Sequence, residues 1–421
     1  MKKVLTVLLI TILAFSMFVS CNKGSSSAEP AKEAGKAKAA KTYKIAVATI
    51  FEGESWEIQK TYYEKELASA LNMNFMFSEK LSDANGLVDF IERAYASGCE
   101  GVISFVTSND AVAQGARKCE EYGMYFITQN SALNKDVANL PHNLGHCGAS
   151  ATGMGKAYEA AFEKLLSDGQ NHSLFIFSGA AVGGAIGQGA ASHYYSVQGM
   201  LEAMQKVYGL KYSKSIDDII NNQNPGEIET GNSNIHIYIY PGYDASAAAK
   251  AAQTQFQTGK YDTFAAVFSF SAFSNVIADC EKSLGKNIKV IGTASIEAQT
   301  TTGFTSKDQF GDSVLSAAVI NPLNNANAIC AAIMYNALTG HADAMKDNGK
   351  AILFKVDPWA CSSAEVYAGI QKLDQSHETY VVNADDIAKL LCEKDSSVTW
   401  KTMEAKLIEL GDIDAIIAAK L

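Results

Sequence analysis

The fold can be inferred from residues 43–50, which read YKIAVATI, and from the pattern that follows them. A mostly apolar stretch of this length predicts a strand buried on both faces of a sheet. Residues 55–71 then place Trp56, Tyr63 and Leu67 at helical spacing, which predicts an amphipathic helix. A buried strand followed directly by such a helix is the unit from which parallel α/β sheets are built.

The same alternation continues along the chain, and a second series begins with a short strand near His142. Other strands are predicted at 74–77, 101–106, 124–128, 173–178, 234–240, 264–270, 288–293, 313–320 and 351–356. Alternation of strands and helices predicts parallel sheets with helices on both faces and right-handed crossovers. Because the region from Tyr43 onward is too long for one ordinary core, we expect two lobes.

Several short phrases occur in an order typical of one protein family. They are KIAVA at 44–48, ASGCEGVIS at 96–104, GMYFITQN at 123–130, SVQGM at 196–200, FAAVF at 264–268 and VIGT at 290–293. Over roughly residues 43–356 the sequence therefore resembles the type I periplasmic binding proteins, the sugar-binding solute receptors that feed ABC importers. The resemblance implies a monomer with a small-molecule solute and an ABC permease as partners. A sensor protein in place of the permease is the alternative.

The resemblance also implies two doubly wound lobes joined by a three-segment hinge. It predicts lobe one at 43–131 plus 321–347 and lobe two at 132–320 plus 348–356. Residues 357–421 exceed this fold and are predicted to form a helical C-terminal extension packed against one lobe, or alternatively a docking surface. The ligand is expected between the lobes, because sites in open α/β sheets lie beyond the carboxyl ends of the strands.

The loops that follow the predicted strands supply the candidate ligand-binding residues. They are Phe51, Glu52, Trp56, Phe105, Gln129, Asn130, Tyr194, Ser269, Phe270 and Asn321. Aromatic faces stack on ring-shaped ligands, and amides donate and accept hydrogen bonds without carrying a charge. For each aromatic residue, packing in the core or exposure at the rim is the alternative interpretation.

The charged residues with which similar proteins bind sugars are missing from this chain. Gln129-Asn130 stands where those proteins have an Asp-Arg pair, Ser196 stands near a helical Arg, and Ala294 replaces a later Asp. We therefore expect a neutral solute: a sugar with an altered hydroxyl pattern, a nucleoside or another small ring. A receptor for a nucleoside or a signal molecule, serving a sensor, is the alternative function.

The first residues predict export. MKK at 1–3, an apolar stretch at 4–15 and FVSC at 18–21 form a secretory signal at 1–20 that is too short to span a bilayer. The phrase around Cys21 resembles a bacterial lipobox, with Phe18 where Leu is preferred, which implies a lipid on Cys21 and a membrane-anchored protein at the periplasm or cell surface. The alternative is an ordinary cleaved signal. Residues 21–42 lack large apolar side chains and are predicted to be a flexible linker.

Composition excludes several function classes. The formal net charge is −10, and removing Lys2 and Lys3 with the signal makes it −12, so no nucleic-acid partner is expected. The seven cysteines after Cys21 have no CxxC spacing and are predicted to be buried free thiols, with no metal site and no cofactor. Neither H-E-x-x-H nor G-x-S-x-G occurs, and no catalytic residue is assigned. An exported hydrolase remains the alternative from another class.

Overall fold

The structure, a computed structural model, describes residues 41–106, 108–129, 133–179 and 191–421. The first of its two sheets is entirely parallel, in the order β12-β5-β4-β3-β1-β2. Its strands are β1 (Tyr43–Ala48), β2 (Met73–Phe77), β3 (Gly101–Ser104), β4 (Tyr125–Thr128), β5 (Asn143–Ala149) and β12 (Ile352–Val356). The predicted signal at 1–20, Cys21 and all but the last two residues of the predicted linker at 21–42 lie outside the described residues.

The second sheet has the order β13-β11-β10-β9-β6-β8-β7. Its strands are β6 (Leu174–Phe177), β7 (Gly226–Ile228), β8 (Ile237–Tyr240), β9 (Thr263–Ala266), β10 (Lys289–Ala294), β11 (Ala317–Ile320) and β13 (Trp359–Cys361). The central pairs are parallel, whereas the two edge strands β7 and β13 run antiparallel to their neighbours. The predicted doubly wound α/β fold with two sheets is confirmed.

Helices cover both faces of each sheet. They are α1 (Glu54–Tyr62), α2 (Ala68–Leu71), α3 (Ala84–Ala96), α4 (Asn109–Tyr122), α5 (Ala151–Leu166), α6 (Ala191–Tyr208), α7 (Ile216–Ile220), α8 (Ala245–Gln257), α9 (Ser274–Leu284), α10 (Ala298–Thr305), α11 (Leu323–Asn336), α12 (Ala364–Ile370), α13 (Ala384–Ala388), α14 (Trp400–Glu409) and α15 (Ile413–Lys420). The side chains of Asp83, Ser108 and Ser150 accept hydrogen bonds from backbone amides in the first turns of α3, α4 and α5, which fixes where these helices begin. Within the described part of the chain, no helix is long and apolar enough to cross a membrane.

Strand β1 shows why this sequence buries a sheet on both sides. Ile45 and Val47 belong to a core that includes α1 and α11, whereas Ala46 and Ala48 belong to a core that includes α3 and α4. All four side chains are fully buried. Alternate residues of one strand therefore face two different helical layers, which requires the continuous apolar sequence.

The chain crosses between the sheets at three places, each at the carboxyl end of a strand. The crossings are at Ser150 after β5, at Asn321 after β11 and at Asp357 after β12. We call the first sheet with α1–α4 and α11 the first lobe, and the second sheet with α5–α10 the second lobe. Because every crossing leaves a carboxyl end, the two carboxyl edges meet at this junction.

The predicted lobe boundaries are wrong for two strands. Residues 132–320 and 348–356 were assigned to lobe two, yet β5 pairs with β4 and β12 pairs with β5 in the first sheet. Gly145 pairs with Ile352 in this register. The hydrophobic pattern shows that each segment is a strand, but the choice of sheet is set by pairing: β5 lies beside β4, and β12 joins β5 from some two hundred positions away in the chain.

The C-terminal segment, residues 362–421, packs against both lobes, not against one as predicted. Helix α12 lies on α10 of the second lobe, and α13 lies on α2 of the first. Helix α14 then packs on β12, and α15 returns to α12 and β13. Trp359 joins this layer to the sheet, because its buried indole Nε1 donates to the carbonyl of Leu410 at 2.8 Å.

All seven cysteines in the described residues are buried and free, as predicted. Burial raises the pKa of the Cys361 thiol to about 12, and it also raises the pKa of Cys119. A thiol with a raised pKa carries little thiolate at neutral pH and is chemically inert.

One buried carboxyl group makes the stability depend on pH. Asp374 has no exposed surface, and its Oδ1 accepts from the backbone amide of Val381 at 3.1 Å. Burial raises the pKa of Asp374 to about 6, against the hydrogen bond from Val381, which lowers it. The folded state therefore binds this proton more tightly than the unfolded chain. The carboxylate costs stability above pH 6, and that cost disappears as the pH falls toward about 4.

We predict that Asp374→Asn increases the free energy of unfolding at pH 8 by roughly 3 kcal/mol, the equivalent of a two-unit pKa shift. The amide oxygen still accepts from Val381, and no charge is buried. Urea denaturation of both proteins at pH 8, 6 and 4.5 measures the difference, which should shrink steadily with pH. A difference that is the same at all three values would contradict this assignment.

Candidate functional site

A cavity of about 260 Å³ lies at the carboxyl edge of the first sheet, beside the crossings between the lobes. It is lined by Phe51, Phe105, Gln129, Gly148, Ala149, Asn321, Pro322, Leu323, Ala326 and Val356. The loops after β1, β3 and β4, the ends of β5 and β12, and the start of α11 thus converge on one space. The cavity occupies the place where ligand sites of open α/β sheets are found.

Two phenylalanine rings form its aromatic wall. Phe51 is 38% exposed and Phe105 is 2% exposed, and their rings meet edge to face at 5.6 Å. Trp56 lies behind them, 6% exposed, with its ring 5.6 Å from Phe105 and 5.9 Å from Phe77. Phe51 therefore presents the accessible ring, and the two residues beneath it hold the wall in place.

Trp56, which was predicted to contact the ligand, does not line this cavity. Helix α1 begins at Glu54, so Trp56 belongs to its first turn and not to the preceding loop, and its amide donates to the carbonyl of Gly53 at 3.1 Å. The start of the helix turns the indole toward the sheet. The sequence pattern indicated a helix here but not the residue at which its first turn would close.

A chain of buried amides supports the polar side of the cavity. Gln129 Nε2 donates to Asn327 Oδ1, which also accepts from the hydroxyl of Tyr63 at 3.1 Å. Asn327 Nδ2 in turn donates to Gln59 Oε1 at 3.3 Å. Because the amide nitrogen of Gln129 is already engaged, its oxygen is the atom left to accept a hydrogen bond from a ligand.

Asn321 adds a second acceptor at the crossing after β11. Its backbone amide approaches the carbonyl of Ala294 at 3.4 Å, and its carbonyl accepts from Leu323 at 3.0 Å. The side-chain oxygen of Asn321 is buried and has no hydrogen-bond partner among the described residues. A buried acceptor of this kind costs stability unless something donates to it, which makes it a marker for a ligand position.

The remaining predicted site residues lie elsewhere. Glu52 is exposed and forms an ion pair with Lys80 at 2.6 Å. Tyr194 lies on α6 and donates to Asp217 at 2.5 Å. Asn130 lies outside the described residues.

The two predicted site residues after β9 also differ from expectation. Ser269 caps a short 3₁₀ turn at Phe270–Phe273 and contacts the hydroxyl of Ser271 at 3.1 Å. Phe270 is buried and lines a separate cavity of about 300 Å³ against α9, with Ile277 and Val290. The turn directs Phe270 into the second lobe, so Phe270 does not line the cavity beside Phe51.

The second lobe presents an aromatic group that the sequence prediction left out of the site. The ring of Phe268 lies 4.6 Å from that of His193 and 5.4 Å from that of Tyr243, at the carboxyl edge of the second sheet. Burial lowers the pKa of His193, against the hydrogen bond to Gly179, which raises it. Gly179 has a φ of +54°, and a Cβ there would lie 2.6 Å from the Phe268 ring. The sequence signal that could have identified this aromatic group was Gly179, which closely follows the end of β6.

The chemistry of the cavity is neutral. No charged side chain is among its lining residues in the part of the chain that the structure describes. In the same residues, no group of three His, Cys, Asp or Glu side chains is placed to hold a metal ion. The walls offer a ring face, aliphatic surface and two amide oxygens, a set that suits an uncharged solute with hydrogen-bond donors.

No protein-family model matches the sequence, and no curated protein matches it. Solved structures are similar. A periplasmic sugar-binding protein from Pseudomonas fluorescens is 13% identical with a TM-score of 0.51, over 89% of this chain and 99% of that chain. The chain has the fold of two-lobe periplasmic binding proteins.

Two further solved structures are also similar to this chain. An ABC transporter solute-binding protein from Actinobacillus succinogenes with bound D-allose is 14% identical, with a TM-score of 0.47 over 77% of this chain and 98% of that chain. A carbohydrate transporter from Acidothermus cellulolyticus in complex with myo-inositol is 15% identical, with a TM-score of 0.46 over 79% and 98%.

We predict that Trp56→Ala lowers the free energy of unfolding by about 3–5 kcal/mol, because it empties a packed site between Phe105 and Phe77. Phe51→Ala is the matched control: its ring is partly exposed, and its removal should cost less than about 1 kcal/mol. Guanidinium denaturation of both variants provides the measurement. Near-native stability of Trp56→Ala would show that the indole is not a core residue.

Proposed function

We propose that this protein is an exported solute-binding receptor that captures a small neutral ring in the cavity beside Phe51 and delivers it to an ABC importer. The observation that carries the proposal is the neutral lining of the cavity, with an aromatic wall on one side and the oxygens of Gln129 and Asn321 on the other. The two-lobe fold supports it, since such lobes can close around a solute by a hinge. The proposal assigns no catalysis and no cofactor.

The size and polarity of the cavity favour a single-ring solute. Its volume of about 260 Å³ is below the range of roughly 300–1,000 Å³ that is typical of drug-sized ligands. Hydroxyl groups can donate to the oxygens of Gln129 and Asn321 while an apolar ring face lies on Phe51. A monosaccharide or a cyclic polyol has both features, and the name of the similar Pseudomonas fluorescens protein supports the sugar class.

The first test is a thermal-shift screen of the purified protein with neutral monosaccharides, cyclic polyols, nucleosides and amino acids. A hundredfold excess of ligand over its dissociation constant should stabilise the folded protein by about 2.7 kcal/mol. Stabilisation by a neutral ring supports the proposal, and a nucleoside hit selects the nucleoside alternative. Stabilisation by charged amino acids alone would contradict the proposed site.

We further predict that Asn321→Leu weakens binding of the solute found in that screen by about two- to tenfold, because one net hydrogen bond is worth roughly 0.5–1.5 kcal/mol. Stability should not fall, since a buried acceptor without a partner is removed. Asn325→Leu is the control: both polar atoms of this buried side chain lack hydrogen-bond partners, and it does not line the cavity. Titration calorimetry of the three proteins decides, and equal losses in both variants would contradict the role of Asn321.

The proposal includes a lipid anchor on Cys21, which keeps the receptor at the outer face of a membrane. We predict that Cys21→Ala moves the protein from the membrane fraction to the soluble fraction, because the lipid attachment site is lost. Fractionation of expressing cells with detection by antibody measures this. Membrane partition of the variant equal to that of the parent would exclude Cys21 as the anchor.

A further inference from the structure

Glu54 connects the two lobes directly. Its Oε2 accepts from the backbone amide of Ala298, the first residue of α10 in the second lobe, at 2.7 Å. Its Oε1 lies 3.4 Å from Nε2 of Gln375 in the C-terminal segment. One carboxylate at the start of α1 thus contacts the opposite lobe and the segment that packs on both. A carboxylate at a helix N-terminus is also favoured by the helix dipole.

This contact lies beside the crossing at Asn321, since Ser55 and Ile296 line one small cavity together with Asn321, and it is farther along the sheets from the other two crossings. The three crossings leave β5, β11 and β12, which are at or next to the edges of their sheets. In the first sheet, Glu54 follows β1, and three strands, β5, β4 and β3, separate β1 from β12. In the second sheet, α10 follows β10, which is the neighbour of β11 on the side away from the sheet edge. Because Glu54 and Ala298 belong to different lobes, a rotation of the lobes about the crossings moves these two residues apart.

The C-terminal segment forms a second connection on the same side. In the second lobe, the ring of Tyr367 on α12 stacks on Phe304 of α10 at 4.8 Å, and its hydroxyl lies 3.1 Å from Thr301. Gln371 Nε2 also contacts Thr301 at 2.9 Å. The segment is thereby fixed to α10. The backbone amide of Ala298, the first residue of α10, donates the hydrogen bond to Glu54.

Its other end is fixed to the first lobe. The buried hydroxyl of Tyr62 on α1 donates to the carbonyl of Val382 at 2.5 Å, and the ring of Tyr62 lies 4.6 Å from that of Tyr380. Asn336 at the end of α11 donates to Leu390 at 2.8 Å. Residues 376–379, which we call the strap, therefore run from one lobe to the other, between the attachment of Tyr367 to the second lobe and that of Tyr380 to the first.

We propose that Glu54 and the strap form a clasp that limits the opening of the cleft and holds the lobes together. Opening about the hinge must break the Glu54 contacts, and the strap then sets how far the lobes can separate. The clasp is a property of the lobes themselves and acts whichever solute the cavity takes.

The test measures the distance between the lobes without solute, so its outcome does not depend on the proposed ligand. Spin labels are placed on Glu79→Cys and Lys250→Cys, two exposed positions on different lobes, in the full chain carrying Cys21→Ala. The native cysteines of the described residues are buried and should not be labelled. Pulsed electron paramagnetic resonance gives the distribution of distances, which we expect to be a single narrow peak.

Two variants remove the parts of the clasp one at a time. Glu54→Ala deletes both acceptors, and an insertion of eight Gly and Ser residues after Ser376 lengthens the strap. Each should add a broad population at longer distances, whereas Glu57→Ala, an exposed glutamate on the same helix, should not. If either clasp variant leaves the distribution unchanged, or if Glu57→Ala broadens it equally, the clasp is overturned. Circular dichroism of each variant confirms that the comparison is made on folded protein.

Discussion

Burial of helix α11 on all sides is the constraint on which the rest of the structure depends. Five apolar residues of α11 have no exposed surface: Ala328, Ile329, Ala331, Ala332 and Ile333. Buried apolar side chains therefore surround the axis of this helix. A helix of this kind needs cover on every face. The first sheet and α1 cover part of it. At its C-terminal end, Asn336 bonds to the backbone of Leu390 and Cys392 in the C-terminal segment.

The same helix sets the geometry of the cavity. Its first turn supplies Leu323 and Ala326 to the wall, and Asn327 one turn later holds the side chain of Gln129. It approaches β3 so closely that a Cβ on Gly101 would lie 2.3 Å from the sulfur of Met334. Close packing on both sides thus fixes where the polar atoms of the site stand. Precise placement of a few polar groups in an apolar wall is what a small-molecule site requires.

The sequence predicted the two-sheet α/β fold because its buried strands are short continuous apolar runs, such as residues 43–50. It did not predict that β5 and β12 join the first sheet, or that Trp359–Cys361 forms a strand, because these depend on pairing between distant residues. The rule that ligands bind beyond the carboxyl ends of the strands placed four residues in one site: Phe51, Phe105, Gln129 and Asn321. All four line the cavity. The same rule also placed Trp56 and Phe270 in the site, but neither lines this cavity, because each lies in a helical turn that directs its ring into a core.

The seven buried thiols have a consequence for how this chain must fold in an oxidising compartment such as the one proposed. The native protein protects them by packing alone, since none is paired. In the export that we propose, the extended chain exposes all seven during translocation, and any pair that oxidises early forms a link that the native fold does not contain. Productive folding must therefore bury the thiols faster than they oxidise. Rapid burial of residues such as Cys147 and Cys330 protects the chain. Once folded, the protein needs no reductant to stay intact.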